Sequence, residues 1–144
     1  MKKVFIGNDH GGYELKTAIM TKYKNFIDCG NSVADPNDNF PDYAKAVCKS
    51  VLANPDSYGI IICGTGIGVS ICANRFRGIR AGLCHSTEYA KLARQHNNAN
   101  VLCLGGRFTD TETAFEIVDT FLNTAADENP KYKRRMEIAD GIVS

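Results

Sequence analysis

The chain has 144 residues, with 17 Lys and Arg against 16 Asp and Glu and a formal net charge of +1. Near-neutrality argues against the bulk electrostatic field of a nucleic-acid or membrane-surface binder, and no apolar run reaches the roughly 20 residues needed to span a bilayer. The length fits one domain, expected over residues 1–144. Met1-Lys2-Lys3-Val4 leads straight into strand-like residues without a signal-peptide pattern, so a cytoplasmic protein is expected.

In chain order, residues 3–8 read as a first strand ending at Asn8-Asp9-His10-Gly11-Gly12. Leu15, Ala18, Ile19 and Tyr23 then recur at amphipathic helical spacing. Residues 26–30 read as a short second strand, and the Asp-, Asn- and Pro-bearing stretch 31–41 as a loop. Ala44, Val47, Cys48, Val51 and Leu52 mark a second helix, stopped by Asn54-Pro55. Residues 58–63 form the third strand candidate, and a third helix continues the apolar spacing from Ile67 through Ile71. A fourth strand is expected over 79–84 and a helix from Thr87 to about residue 97. A fifth strand covers 101–104, and Thr109 or Asp110 caps the next helix, whose inner face carries Ala114, Val118, Phe121 and Leu122. Pro130 opens a C-terminal helix with Tyr132, Met136 and Ala139 as its apolar stripe.

Five alternations of strand and helix predict an α/β fold, a Rossmann-like three-layer sandwich with a five-stranded parallel sheet and a C-terminal helix. Ligands of such sheets bind beyond the carboxyl ends of the strands. That rule gathers Asp9 and His10 after strand one, Cys63 to Gly68 after strand three, His85 after strand four and Arg107 after strand five.

Six cysteines occur without any C-x-x-C pair, so no zinc or dithiol motif is present. Five of them read as small buried apolar residues. Cys63 differs, because it ends a strand at the loop Gly64-Thr65-Gly66-Ile67-Gly68. This G-x-G-x-G follows strand three, lacks the dinucleotide spacing and is not followed by Gly-Lys-Ser/Thr. A glycine turn feeding a helix start is suited to cradle an anionic oxygen, here with a thiol at its lip, the alternative being a turn that serves only tight packing. His96, at the far end of its helix, is expected at the opposite edge of its own sheet. If it is catalytic, it serves the cleft of a neighbouring subunit. The basic run 131–135 reads by default as a solvated helix face, yet Lys131 and Arg135, at i and i+4, share a side that could grip one phosphate.

Asn-Asp-His-Gly-Gly, Cys-Gly-Thr-Gly-Ile-Gly, Ala-Asn-Arg-Phe-x-Gly-Ile-Arg-Ala, Arg-Gln-His-Asn-x-Ala-Asn-Val-Leu and Gly-Gly-Arg occur in one order across most of the chain. Together they closely resemble the type B ribose-5-phosphate isomerases, a family that includes allose-6-phosphate isomerases and galactose-6-phosphate isomerase subunits. The resemblance implies interconversion of ribose 5-phosphate and ribulose 5-phosphate through a cis-enediol, with no cofactor and no metal. It implies Cys63 as the base between C1 and C2, His96 as the ring-opening acid–base group, Asp9 on sugar hydroxyls, and Thr65 with the amides of Gly64, Gly66, Ile67 and Gly68 on the enediolate. It places His10, Arg107, Lys131 and Arg135 at phosphate, Asn97 at the sugar and Tyr43 as a sugar-side wall. Another branch of the family uses a carboxylate just after the glycine loop; Val69 stands there, leaving Cys63 as the base. Lys131 departs from the family's Arg and lacks the bidentate fork. The expected partner is a small-molecule sugar phosphate, with no nucleic acid or membrane, in a homodimer sharing its site across the interface or a tetramer made of two such dimers. The alternatives are a six-carbon sugar phosphate, allose or galactose 6-phosphate, and a non-catalytic sugar-phosphate-binding protein.

Overall fold

The computed structural model describes residues 2–142. Met1, where the expected domain begins, and Val143 and Ser144, where it ends, lie outside the described residues. Five strands, β1 (Val4–Asn8), β2 (Ile27–Asp28), β3 (Tyr58–Cys63), β4 (Ala81–Leu83) and β5 (Val101–Gly105), form one sheet in the order β2-β1-β3-β5-β4. Every pairing is parallel. The helices are α1 (Tyr13–Lys22), α2 (Phe40–Ala53), α3 (Ile67–Ala73), α4 (Thr87–Asn97), α5 (Thr111–Asn123) and α6 (Pro130–Ile142).

The central strands are buried on both faces, as their continuous apolar runs dictate. On one face Ile6, Ile60, Ile62, Leu102 and Leu104 pack against Leu15 and Ile19 of α1, Ala90 of α4 and Ile117, Val118 and Phe121 of α5. On the other, Phe5, Ile61, Cys63 and Cys103 pack against Ala44, Val47, Cys48 and Val51 of α2 and Val69 and Ala73 of α3. Period-two alternation thus sends Cys63 to the α2–α3 side while Ile62 supports the α1–α5 side. The strand order reverses direction between β1 and β3, which puts the expected ligand crevice at their carboxyl ends.

Several elements differ from the sequence reading. β2 shrinks to two exposed edge residues, because only β1 flanks it. α2 starts at Phe40, inside the expected loop, since Pro41 fits a first helical turn. β4 is confined to Ala81–Leu83, where it pairs with β5. In α3, Ile67–Ile71 and Val69–Ala73 are both apolar i, i+4 pairs, and periodicity alone does not choose between them. The smaller pair packs against the core, leaving Ile67 52% and Ile71 50% exposed. Cys48, Cys84 and Cys103 are buried as expected, whereas Cys29 and Cys72 are only half-buried. α6 buries no residue: Tyr132 and Met136 are half-buried and Ala139 is exposed, because the helix leans on α4 rather than on the sheet.

Candidate active site

Because β1, β3 and β5 are neighbours, the loops leaving their carboxyl ends meet. Asn8 is fully buried, and its Nδ2 donates to the Asp9 carbonyl at 2.9 Å. Asp9, 7% exposed, accepts from Gly12 N at Oδ1 (3.2 Å) and closes the tight turn His10–Gly12. The glycines here permit contact of backbone with backbone. A Cβ on Gly11 would lie 2.8 Å from Gly64 N, one on Gly12 2.4 Å from Ile62 O, and one on Gly106 2.5 Å from Gly11 O. No side chain fits at these distances without moving main chain.

Cys63 ends β3 opposite Gly105 and is nearly buried. Gly66, at φ 80°, turns the chain so that its N–H donates to Cys63 Sγ at 3.2 Å. Ile67 N donates to Thr65 Oγ1 at 3.1 Å. Two of the amides expected to face substrate oxygen are therefore engaged inside the loop. The first-turn N–H groups of Gly68 and Val69 have no carbonyl four residues back within the helix, the ladder starting with Ser70 N to Gly66 O. Arg107 N donates to Gly64 O at 3.0 Å, and its guanidinium lies against Gly64, whose Cβ would stand 2.9 Å from it.

Two elements wall this edge. His10 Nδ1 lies 2.8 Å from Asp38 Oδ1 in the loop before α2. Tyr43 of α2 is half-buried, and its phenol is pushed up first by burial and then by the carboxylates of Asp38, Asp42, Asp35 and Asp9. Tyr43 thus belongs beside the Asp9 turn, while the Phe40 ring covers Gly68 at 2.8 Å from a Cβ built there. Asp9, His10 and Asp38 each offer a ligand atom within 4.8 Å of the others. Those atoms already serve the Gly12 N–H and the His10–Asp38 bond.

His96, Asn97, Lys131 and Arg135 form a second group. α4 leaves the carboxyl end of β4 and runs back to the amino end of β5, so its last turn sits about 13 Å of strand away from Cys63. There the His96 ring stacks on Tyr132 with centroids 4.4 Å apart and planes 10° apart. Lys131 Nζ and the Arg135 guanidinium stand 5.0 and 5.8 Å from the centre of that same ring. Asn97 Nδ2 donates to Met136 Sδ at 3.5 Å. Arg94, 3% exposed, fixes this turn by donating to Asn98 Oδ1, Ala99 O and Thr124 O. Asn98 adopts the left-handed conformation that ends the helix. A cavity of about 290 Å³ borders His96, Tyr132 and Lys133, and Cys63 does not line it.

The structure therefore brings Asp9, His10, Tyr43, Cys63, Gly64, Thr65, Gly66, Ile67, Gly68 and Arg107 to one edge, and His96, Asn97, Lys131 and Arg135 to the other. His85 is exposed beyond edge strand β4, and no hydrogen bond among the described residues ties it to either group. Sequence reasoning missed Asp38, Phe40 and Tyr132. Tyr132 was legible as the aromatic neighbour of Lys131 on its helix, whereas Asp38 meets His10 only across 28 residues of chain.

A thiol, a carboxylate and a glycine turn at the carboxyl ends of adjacent parallel strands define a small-molecule-handling α/β protein of the Rossmann-like class. The profile of the family described as Ribose/Galactose Isomerase matches residues 4–138, and the chain belongs to that family. It is 43% identical over 137 residues to a Mycoplasma pneumoniae protein named "Probable ribose-5-phosphate isomerase B", covering 92% of this chain and 90% of that one. Among solved structures, it resembles the type B ribose 5-phosphate isomerase of Leishmania infantum (TM-score 0.92, 38% identity, 99% and 96% of the two chains covered). The ribose 5-phosphate isomerase of Thermotoga maritima matches with a TM-score of 0.91 and 44% identity, over 97% of this chain and 98% of that one.

Proposed function

We propose that the chain works as follows. It is an aldose–ketose isomerase that interconverts ribose 5-phosphate and ribulose 5-phosphate through a cis-enediolate, within non-oxidative pentose phosphate metabolism. The observation that carries this reading is Cys63, a thiol held at the end of a buried strand, with the Gly66 N–H on its sulphur. From the aldose side, the Cys63 thiolate takes the proton from C2 and returns it to C1, while the hydroxyl proton of O2 passes to O1 and the two oxygens carry the intermediate's charge. The Gly66 N–H meets the negative charge that rests on sulphur before and after transfer. Thr65 Oγ1 accepts from Ile67 N, so its own proton is free to donate to an enediolate oxygen. Preorganised donors of this kind lower the barrier without reorganising, and Asp9 holds sugar hydroxyls beside them.

Ring opening is assigned to His96, which takes the proton of the anomeric hydroxyl and delivers one to the ring oxygen. It lies at the wrong end of its own sheet for this, so the working unit is a homodimer in which each cleft combines Cys63 of one subunit with the partner's equivalent of the His96 group. Stacking on Tyr132 makes Lys131 and Arg135 travel with His96, and the same partner helix supplies both to phosphate together with His10 and Arg107. The exposed Ile67–Ile71 face of α3 and the absence of any buried residue on α6 support such an assembly. The cysteines are all unpaired, in keeping with the reducing cytoplasm, and among the described residues no helix is long and apolar enough to cross a membrane.

The test is a coupled assay for ribulose 5-phosphate formed from ribose 5-phosphate, with and without EDTA. Isomerisation that survives chelation, and loss of it on alkylating Cys63 with protection by ribose 5-phosphate, are the expected results. A protein that binds ribose 5-phosphate without converting it would contradict the reading.

A further inference from the structure

Asp38 sits in the irregular stretch between β2 and α2, and none of the roles above uses it. Its side chain is only 5% exposed. Oδ1 lies 2.8 Å from His10 Nδ1 and accepts from the His10 backbone N at 3.3 Å, and Oδ2 accepts from Asn31 Nδ2. A buried carboxylate is tolerable only when donors fill its lone pairs, and here three donors do. A bond donated from Nδ1 to Asp38 turns Nε2 outward, and with a second proton there, as the imidazolium, the ring donates from both nitrogens, to Asp38 on one side and to an external anion on the other.

The surroundings make this arrangement consequential. Asp9 stands on the same turn, Tyr43 of α2 feels Asp38, Asp42, Asp35 and Asp9, and Arg107 lies over Gly64 from the β5 loop. An anion approaching this edge meets several carboxylates. A bare Asp38 would repel it, whereas an imidazolium between them offsets the Asp38 charge and presents its Nε2–H to the anion. We propose that Asp38 is a positioning residue for the phosphomonoester end of the substrate: its contact with His10 turns Nε2 outward and converts a repelling carboxylate into the support of an anion donor. This rests on the assignment of His10 to phosphate made above.

A double-substitution cycle tests it, with inorganic phosphate titrated calorimetrically and KM for ribose 5-phosphate measured in parallel. Asp38→Asn should weaken phosphate and raise KM about tenfold, the scale of one hydrogen bond to a charged group, with an unchanged circular dichroism spectrum. In a His10→Asn background the same Asp38→Asn change should cost nothing or tighten phosphate, because it then removes only repulsion. Asp38→Ser, an uncharged acceptor, replaces Asp38→Asn should that protein not fold. Equal losses in both backgrounds would overturn the inference, leaving Asp38 as support for its loop, and so would no loss in either. If His10→Asn alone leaves phosphate affinity untouched in an active isomerase, the inference falls with the His10 assignment while the isomerase reading stands. An inactive wild-type protein would remove that reading itself.

Discussion

At the carboxyl end of the sheet, Cys63 and Asp9 extend from strands whose every residue is buried, and three glycines lock the loops together backbone to backbone. At the amino end, His96 on the last turn of α4 and Lys131 and Arg135 on the first half of α6 all gather on the Tyr132 ring, with no buried residue anywhere in α6. The first group is positioned by the core and is complete as the chain folds. The second is held by one buried arginine, a ring stack and surface contacts. The contrast teaches that the thiol region is built by the fold itself, whereas the His96 group is presented outward, as the proposed sharing of the site between two copies requires.

The largest effect expected from breaking the first region is on chemistry. Cys63→Ala should lower kcat by about 10³-fold or more, in keeping with the loss of a positioned acid–base group, while circular dichroism and phosphate binding stay close to wild type. A Cys63→Ala protein with substantial activity would place the base elsewhere. Disrupting the proposed assembly comes next. Ile71→Asp puts a charge on the exposed α3 face and should shift the protein to monomers in sedimentation velocity, with activity falling in step. Monomers that remain fully active would show that the two regions need no partner.

The glycine packing gives a smaller, thermodynamic effect. Gly12→Ala sets a Cβ 2.4 Å from Ile62 O, and denaturant melts should show a loss of about 1–3 kcal/mol from overpacking. The smallest effect is remote from both regions. Asp110 caps α5, and the Thr113 N–H, followed by the Thr113 hydroxyl, holds its carboxyl below the ordinary range. In acid the unfolded chain therefore binds more protons than the native one, so the cap's electrostatic contribution is present at neutral pH and is lost as pH falls below about 3.9 through the lower native value. Asp110→Ala should lower Tm slightly at pH 7, with the gap narrowing over that acidic window in calorimetric scans.

Much of the first region was legible in the sequence, because its signals are local. Ile60-Ile61-Ile62 reads as a buried strand, Cys63 and the alternate glycines follow at once, and parallel α/β topology collects the strand ends. The start of α4 at Thr87 and of α6 at Pro130 were equally local, set by Ser86 as an N-cap and by proline's fixed φ. What local signals cannot carry is a choice between equivalent faces or a contact across the chain. Both pairs in α3 are apolar, so only packing showed that Ile67 and Ile71 face outward. Asp38 looked like one more polar loop residue until the fold set it against His10. The internal use of the Gly66 and Ile67 amides was likewise hidden, since it depends on the left-handed turn at Gly66 and on where the Cys63 sulphur lies.

The shared site is tested most directly by complementation. Cys63→Ala and His96→Asn proteins, each nearly inactive alone, are mixed, unfolded and allowed to refold together. Half of the dimers formed at random are hybrids, and each hybrid holds one cleft with both residues intact, so the account predicts recovery of about a quarter of wild-type activity. A mixture no more active than its two parents would contradict it.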